Sequence, residues 1–228
     1  MKIIRTGIFG VNTYIVPLCE NKVFVVDPAD NKISNDEGKI VRELKKDKLD
    51  CAAILLTHTH FDHILGIANL KNEFSDAVIA VHNDEKSELN GNAPGPMNKF
   101  LLDFFGMNEN SEVFDELQKI PGADKFFNGG ERLSAIFENA DENLKNAASQ
   151  WKIISTPGHS PGSVCFYNKD QKVLIAGDTI FDYGGYGRTD MYGGNEALIL
   201  RTINKLKTEL PPDTKVFPGH ESFGFTLN

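Results

Sequence analysis

Cysteine is scarce in this sequence: Cys19, Cys51 and Cys165 are the only three among 228 residues, far apart and without a CxxC pair. That excludes a disulfide framework and a zinc ribbon, and Cys51 and Cys165, set in apolar runs, read as buried reduced thiols. Long apolar runs are also missing. No stretch approaches the roughly 18–20 uncharged apolar residues that a membrane span requires, and Met1 to Gly10 lacks the apolar segment of a secretory signal. The chain is therefore expected to work in the cytoplasm, off the membrane. Cations are in deficit, with 24 Lys plus Arg against 32 Asp plus Glu and a net charge of −8, the wrong sign for broad binding to a phosphate backbone. Nucleic acid is excluded as a first expectation. No internal repeat or low-complexity tract is visible.

What is present fits one elaborated soluble domain: apolar residues make up 40 % and charged residues 25 %, the balance of a globular α/β chain. Short β-like runs at Asn12 to Pro17 and Lys22 to Asp27 open the chain. A capping-box pattern, Ser34-x-x-Glu37, precedes Ile40, Val41 and Leu44 at helical spacing and predicts a helix. Cys51 to Leu56 reads as a buried strand, Ile64 to Leu70 as a second helix and Ala77 to Val81 as a further strand. Residues from about 83 to 150 differ in character and read as an insertion or lid. Gly91 to Pro96 form its flexible start, and Phe100, Leu101, Phe104 and Phe105 behind it, at helical spacing, read as core. Strands are then expected at Trp151 to Ser155, Ser163 to Tyr167, Lys172 to Ala176 and Lys215 to Phe217, with a helix from about Asn195 to Glu209.

The histidines carry the chemistry. There are six, and three fall in His58-x-His60-x-Asp62-His63, in the loop between a strand and a helix, where α/β proteins place reactive groups. Side chains 58 and 60 share a side if the loop is extended, while 62 and 63 diverge as the helix begins. One loop can thus offer two ligands to each of two metal ions. His159, Asp178 and His220 each follow a β-like run, which completes seven candidate ligands. His82 has no motif around it and reads as a surface or supporting residue. Imidazole and carboxylate suit Zn, Fe, Mn or Co rather than Ca or Mg, and the absence of nearby Cys points to an open hydrolytic site rather than a closed structural one. Gly184-Gly185-Tyr186-Gly187 lacks the spacing of a phosphate-binding P-loop and reads as a tight turn beside Asp178. Arg188 and Asp190 are expected to fix it by a salt bridge, and Tyr183, Tyr186 and Arg188 are candidate substrate contacts.

These segments, together with Pro157-Gly158-His159-Ser160-Pro161-Gly162-Ser163, Gly177-Asp178 and Pro218-Gly219-His220, resemble the metallo-β-lactamase superfamily in order and spacing. Gly177-Asp178-Thr179-Ile180-Phe181 and Gly187-Arg188-Thr189-Asp190 look most like its glyoxalase II-like branch and that branch's persulfide dioxygenase relatives. The resemblance implies a single domain over residues 1–228 with an αββα sandwich fold. It implies His58, His60 and His159 on a first metal, Asp62, His63 and His220 on a second, and Asp178 bridging. It also implies two divalent ions, zinc first with iron or manganese as alternatives, and a hydroxide between them that attacks a carbonyl while Asp62 holds or accepts a proton. Asp27 would orient ligands from behind. A thiolate leaves without a strong general acid, since the thiol has a pKa near 8.5, so the implied substrate is a small anionic thioester of the hydroxyacylglutathione type. Two divalent ions, two carboxylates and a hydroxide sum to about +1 locally, a field that can oppose the global charge. The alternatives are a mononuclear iron persulfide dioxygenase using His58, His159 and Asp178, and a lactonase or other ester hydrolase on the same site.

Overall fold

Alternating apolar residues at Lys2–Thr6 (β1), Val11–Pro17 (β2), Lys22–Val26 (β3), Asp50–Leu55 (β4), Val78–His82 (β5) and Lys125–Phe127 (β6) build a first sheet in chain order. Its first two pairings are antiparallel and the remaining three parallel. This computed structural model describes residues 1–91 and 94–228; Asn92 and Ala93, within the stretch expected to start the insertion flexibly, lie outside the described residues. The second sheet runs in the order β11 (Phe225–Thr226), β10 (Lys215–Pro218), β9 (Val173–Gly177), β8 (Val164–Asn168), β7 (Trp151–Ser155).

The sequence period of two sorts each strand's side chains onto opposite faces, and here both faces are covered. In β3, Val23 and Val25 join a core with helices α1 (Lys39–Lys46) and α3 (Ile67–Glu73), while Phe24 and Val26 face the other sheet. In β8, Val164 and Phe166 meet them there, and Cys165 and Tyr167 point outward under α7 (Glu196–Glu209). Helix, sheet, sheet, helix is the αββα sandwich. Between the sheets Phe24 meets Trp151 edge-on, with ring centroids 5.2 Å apart, a geometry aromatic pairs favour. No helix among the described residues is long and apolar enough to cross a membrane.

Two local expectations fail for tertiary reasons. The Ser34 capping box does not form: α1 begins at Lys39 after Gly38, and no side chain of its own segment caps it. Instead the Ile40 amide donates to Asp30 Oδ2 at 3.3 Å, so a residue from the β3 exit serves the helix terminus. The helix expected over Ile64 to Leu70 is split into α2 (Phe61–Ile64) and α3. At the break the Gly66 amide donates to Pro28 O at 2.9 Å, and a Cβ on Gly66 would lie 2.3 Å from Asp30 Oδ1. The backbone at Gly66 passes too close to the Pro28–Asp30 turn for any side chain.

Asp30 is fully buried and its Oδ1 has no partner among the described residues. Burial pushes its carboxyl from the ordinary 3.8 up to about 7, despite the Ile40 amide. A carboxyl raised on folding holds its proton longer than the unfolded chain does. Its stability cost is therefore absent below about pH 4, grows between pH 4 and 7, and is constant above. Asp30→Asn is expected to raise stability near pH 8 by on the order of 2–4 kcal/mol and to change it little near pH 4. Thermal melts of both proteins across that range check it, and a difference that stays flat with pH would refute the assignment.

Between β5 and β7, residues 83–150 carry α4 (Pro96–Phe104), α5 (Glu112–Leu117), β6 and α6 (Glu142–Ser149). The segment thus supplies an edge strand to the first sheet. Leu101 is buried, as a core reading requires, but Phe100, Phe104 and Phe105 are exposed. They cluster with one another and with Phe9 and Tyr192 instead of entering the core.

Candidate metal centre

Strands β3 and β4 are parallel, and so are β9 and β10; β7 reaches β9 through two antiparallel pairings and shares its direction. Each is followed at its C-terminal end by one part of the site: Asp27, the His58 to His63 loop, His159, Asp178 and His220. The C-terminal edge of strands is where open sheets gather ligands. Direct bonds bring the two edges together: the Asn12 amide donates to Gly219 O at 2.7 Å, the Val164 amide to Thr57 O at 2.8 Å, and the Tyr14 hydroxyl to Pro218 O at 2.5 Å. Gly177, at φ 48°, sits where a Cβ would lie 2.3 Å from Thr57 Oγ1, so only glycine lets β9 deliver Asp178 this close to the first sheet.

The seven residues expected as ligands converge. His58, His60 and His159 form one group of ligating atoms and Asp62, His63 and His220 a second. Asp178 lies between them, with Oδ1 3.6 Å from His63 Nε2 and Oδ2 3.6 Å from both His159 Nε2 and His220 Nε2. His58 Nε2 and His159 Nε2 are 3.3 Å apart, and His63 Nε2 and His220 Nε2 3.1 Å. Imidazole nitrogens about 2.0–2.1 Å from a tetrahedral ion stand about 3.3–3.4 Å from each other, so this spacing suits a shared cation. His60 Nε2 and Asp178 Oδ1 are buried with no hydrogen-bond partner among the described residues. Such orphaned lone pairs are costly unless something binds them. The donor set fits divalent metal ions of the imidazole-preferring kind.

Supporting bonds aim these nitrogens. Asp27 accepts the Thr57 amide on Oδ1 at 2.8 Å and the Thr57 hydroxyl on Oδ2 at 2.6 Å. It also accepts His63 Nδ1 on Oδ2 at 3.1 Å. With its hydroxyl proton given to Asp27, Thr57 Oγ1 takes the proton of His58 Nδ1 at 3.0 Å. His159 Nδ1 donates to Arg188 O at 2.7 Å. In His58 and His159 Nε2 is thereby left as a lone pair facing the site, and in His63 Nε2 is the nitrogen turned toward it, the arrangement in which supporting groups fix the orientation of a metal-binding histidine. Asp27, His58 and His63 also lie close enough to count as a third group, but these bonds already occupy Asp27, and its place is behind the ligands.

Electrostatics divides the set. Burial and then neighbouring imidazoles hold His58 and His60 well below the ordinary histidine range, and burial lowers His159, so all three favour the neutral, ligating form. Burial opposes charge on His63 too, yet the carboxylates of Asp62, Asp178 and Asp27 outweigh it and hold that imidazole up at about 10. Asp62 is buried but is driven well below the usual carboxylate range by His63 and His220. These groups attract positive charge to the place where a cation belongs.

One organising residue was invisible in the sequence. Glu85, buried just past β5, accepts from Thr59 Oγ1 at 2.6 Å and the Gly162 amide at 3.1 Å, and also from the Ser160 hydroxyl. It ties the His58 to His63 loop to the His159 loop. Glu88 repeats the device, accepting from the Met97 and Asn98 amides at 2.9 and 3.0 Å, while Asn98 Nδ2 donates to Thr59 O at 2.7 Å. The only local sign was a carboxylate three residues past a strand end. Glu85→Ala is expected to weaken metal affinity about 10–100-fold, the usual cost of losing a supporting partner; competition with a chromogenic chelator measures it, and unchanged affinity would mean the two loops hold themselves. His82, read as surface or supporting, is buried and structural: Nε2 donates to Asn128 O at 2.9 Å and Nδ1 accepts the Asp84 amide.

A cleft of about 480 Å³ opens over the group, lined by His60, Asp62, His159, Asp178 and His220 at its floor. Phe9, Phe61 and Phe105 form a mutual ring cluster on its wall, with centroids 5.4–6.0 Å apart. Arg5, Tyr186 and Arg188 also line it. Arg188 pairs with Asp190 at 2.7 Å, the expected salt bridge, and lies 4.9 Å over the Phe104 ring. The Tyr186 hydroxyl donates to Glu196 at 3.1 Å. Tyr183 is 99 % exposed and does not line the cleft, because its turn, at φ 54°, points the ring into solvent. Arg5 and Phe9, which do line it, carried no sequence signal.

The sequence profile of the metallo-beta-lactamase superfamily matches residues 6–220. The probable metallo-hydrolase YqgX of Bacillus subtilis is 32 % identical over 214 residues, 94 % of this chain and 86 % of that one. The hydroxyacylglutathione hydrolase GloC of Haemophilus influenzae is 26 % identical over 223 residues, 98 % and 91 % of the two chains. Among solved structures, TTHA1623 in a di-iron-bound form superposes with a TM-score of 0.75 at 25 % identity, covering 100 % of this chain and 95 % of that one.

Proposed function

The chain belongs to the metallo-β-lactamase superfamily of metal-dependent hydrolases, and within it we propose a binuclear thioesterase that cleaves a small anionic thioester of the hydroxyacylglutathione type. The observation that carries this reading is Asp178 standing between two complete three-residue groups at the floor of the cleft. His58, His60 and His159 would hold one divalent ion, Asp62, His63 and His220 another, and Asp178 would contact both; zinc is favoured, and a di-iron-bound neighbour keeps iron open. Bound ions would supply a water of pKa near 7 as nucleophile and polarise the scissile carbonyl.

The chain's own residues set the rest. Asp62, kept ionised by His63 and His220, presents a carboxylate at the floor that can hold a proton donor by a hydrogen bond. Among the described residues lining the cleft there is no Lys or Cys and no His outside the ligand set. The Tyr186 phenol is engaged by Glu196 and held above its ordinary range. Outside the ligand set and Tyr186, Glu221 is the one carboxyl side chain lining the cleft among the described residues, and a site so sparsely supplied with acids suits a leaving group that needs no strong one, as a thiolate does. Arg5 makes no ion pair among the described residues and is anchored on Glu221 O at 2.6 Å, which leaves its charge for an anionic substrate. The Phe9, Phe61 and Phe105 wall accepts an apolar portion of it.

A mononuclear iron dioxygenase needing only His58, His159 and Asp178 would leave Asp62, His63 and His220 without a role, and the thioesterase reading is preferred for that reason. Steady-state hydrolysis of S-D-lactoylglutathione by protein loaded separately with zinc, iron and manganese tests it, with a chelated control. Metal-dependent turnover is the expected result. Loading with two equivalents without turnover by any of the three would overturn the thioester assignment.

A further inference from the structure

A second cavity, of about 540 Å³, lies on the outer face of the second sheet beside α7, and it shares no lining residue with the cleft above the metal centre. Arg132, Lys152, Lys169 and Lys205 line it, against a single carboxylate, Glu209. None of the four cations makes an ion pair or a side-chain hydrogen bond among the described residues. In a chain of net charge −8, four uncompensated cations around one cavity are a local excess in need of a cause.

The sheet register makes the arrangement specific. Arg132 bridges Lys152 in antiparallel fashion, and Lys152 pairs with Tyr167, so the three side chains stand in one row on one face. Two like charges directly opposite each other destabilise a sheet. At the end of the row Tyr167 also lines the cavity; its side chain is buried, and its hydroxyl has no hydrogen-bond partner among the described residues. Buried hydroxyls without partners are rare in folded chains because each one costs its desolvation. Repelling cations thus surround one space, with an unused donor buried in its wall at Tyr167, and Ile154, Leu210 and Pro211 give that space apolar walls.

We propose that this cavity is a second ligand site for a small phosphate monoester: Arg132, Lys152, Lys169 and Lys205 hold the dianionic head, the Tyr167 hydroxyl donates to one of its oxygens, and an apolar portion lies against Leu210 and Pro211. The volume falls in the range of small-molecule sites, roughly 300–1,000 Å³. A dianion neutralises most of the local charge, and charge-assisted bonds of this kind are the strong ones.

Calorimetric titration of the full-length, metal-loaded protein with phenylphosphonate, which cannot be hydrolysed, tests the site. Saturable binding of one equivalent is expected, weakening as salt is raised. Arg132→Ala combined with Lys152→Ala should weaken it at least about tenfold and leave hydrolytic activity unchanged, since neither residue lines the cleft. If the double variant does not fold, Lys205→Ala, on the exposed side of α7, replaces it with the same expectation. Without ligand, Lys152→Glu should raise the melting temperature by about 1–3 °C by removing the like-charge pair. Absence of binding at low-millimolar phenylphosphonate would overturn the proposal. So would binding that survives undiminished in the variants, since the anion would then be sitting on the metal centre.

Discussion

Asp178→Asn lowers kcat toward any substrate of the cleft by on the order of 10³-fold or more and reduces the bound metal from two equivalents per chain. The substitution keeps the size of the side chain and removes its charge. The two oxygens of Asp178 reach both groups, 3.6 Å from His159 in the first and 3.6 Å from His63 and His220 in the second. Without it, five converging imidazoles would face the two proposed dications with Asp62 as the one remaining carboxylate of the set, and the ions would lose the group that stands between them. Steady-state kinetics on metal-equilibrated protein, with elemental analysis of the same samples, reads both effects. An unchanged circular dichroism spectrum distinguishes loss of the centre from loss of the fold. Full activity with two metals retained would remove Asp178 from the centre.

Removing the metal ions lowers the melting temperature by on the order of 10 °C and abolishes hydrolysis, and stoichiometric zinc restores both. A ligand that binds only the folded chain adds about 4 kcal/mol of stability at a thousand times its Kd, and each kcal/mol moves the melting point of a chain this size by about 2–4 °C. The local reason is visible in the site. His60 Nε2 and Asp178 Oδ1 are buried without partners, and the His63 and His220 nitrogens stand 3.1 Å apart. Without a cation between them, these contacts cost stability. Differential scanning calorimetry of chelated and reloaded protein measures the effect. A melting point indifferent to chelation would show that the cluster is stable by itself and would count against metal occupancy.

Much of the sandwich was legible because its strands are buried on both faces and so read as short apolar runs. Trp151 to Ser155 matches β7 residue for residue, and Asn195, at the expected start of the last helix, caps it by accepting the Leu198 amide at 2.9 Å. Local rules failed where a distant group took over a local task. Ser34 was displaced as a cap by Asp30, and the helix past His63 was broken by the close approach of Pro28. Phe100, Phe104 and Phe105 follow the helical period of a core stripe, but periodicity reports only which side chains share a face. It does not say whether that face meets the sheet or solvent, and these three are exposed, with Phe105 on the cleft wall.

By itself the sequence determined the kind of chemistry available. Imidazoles and carboxylates two or three positions apart, in a loop after a strand, can converge on a cation through the geometry of a few bonds, and that geometry is local. Only the tertiary structure decided which groups stand behind them. Thr57 and Asp27 orient His58 and His63, Glu85 joins the loop of Thr59 to that of Ser160, 26 positions before it and 75 after it in sequence, and Arg132, Lys152 and Tyr167 line up through pairings between separate strands. Those partnerships depend on burial and on sheet register. Both are set by which strands meet across the sandwich, a property of the whole packed chain that no single segment contains.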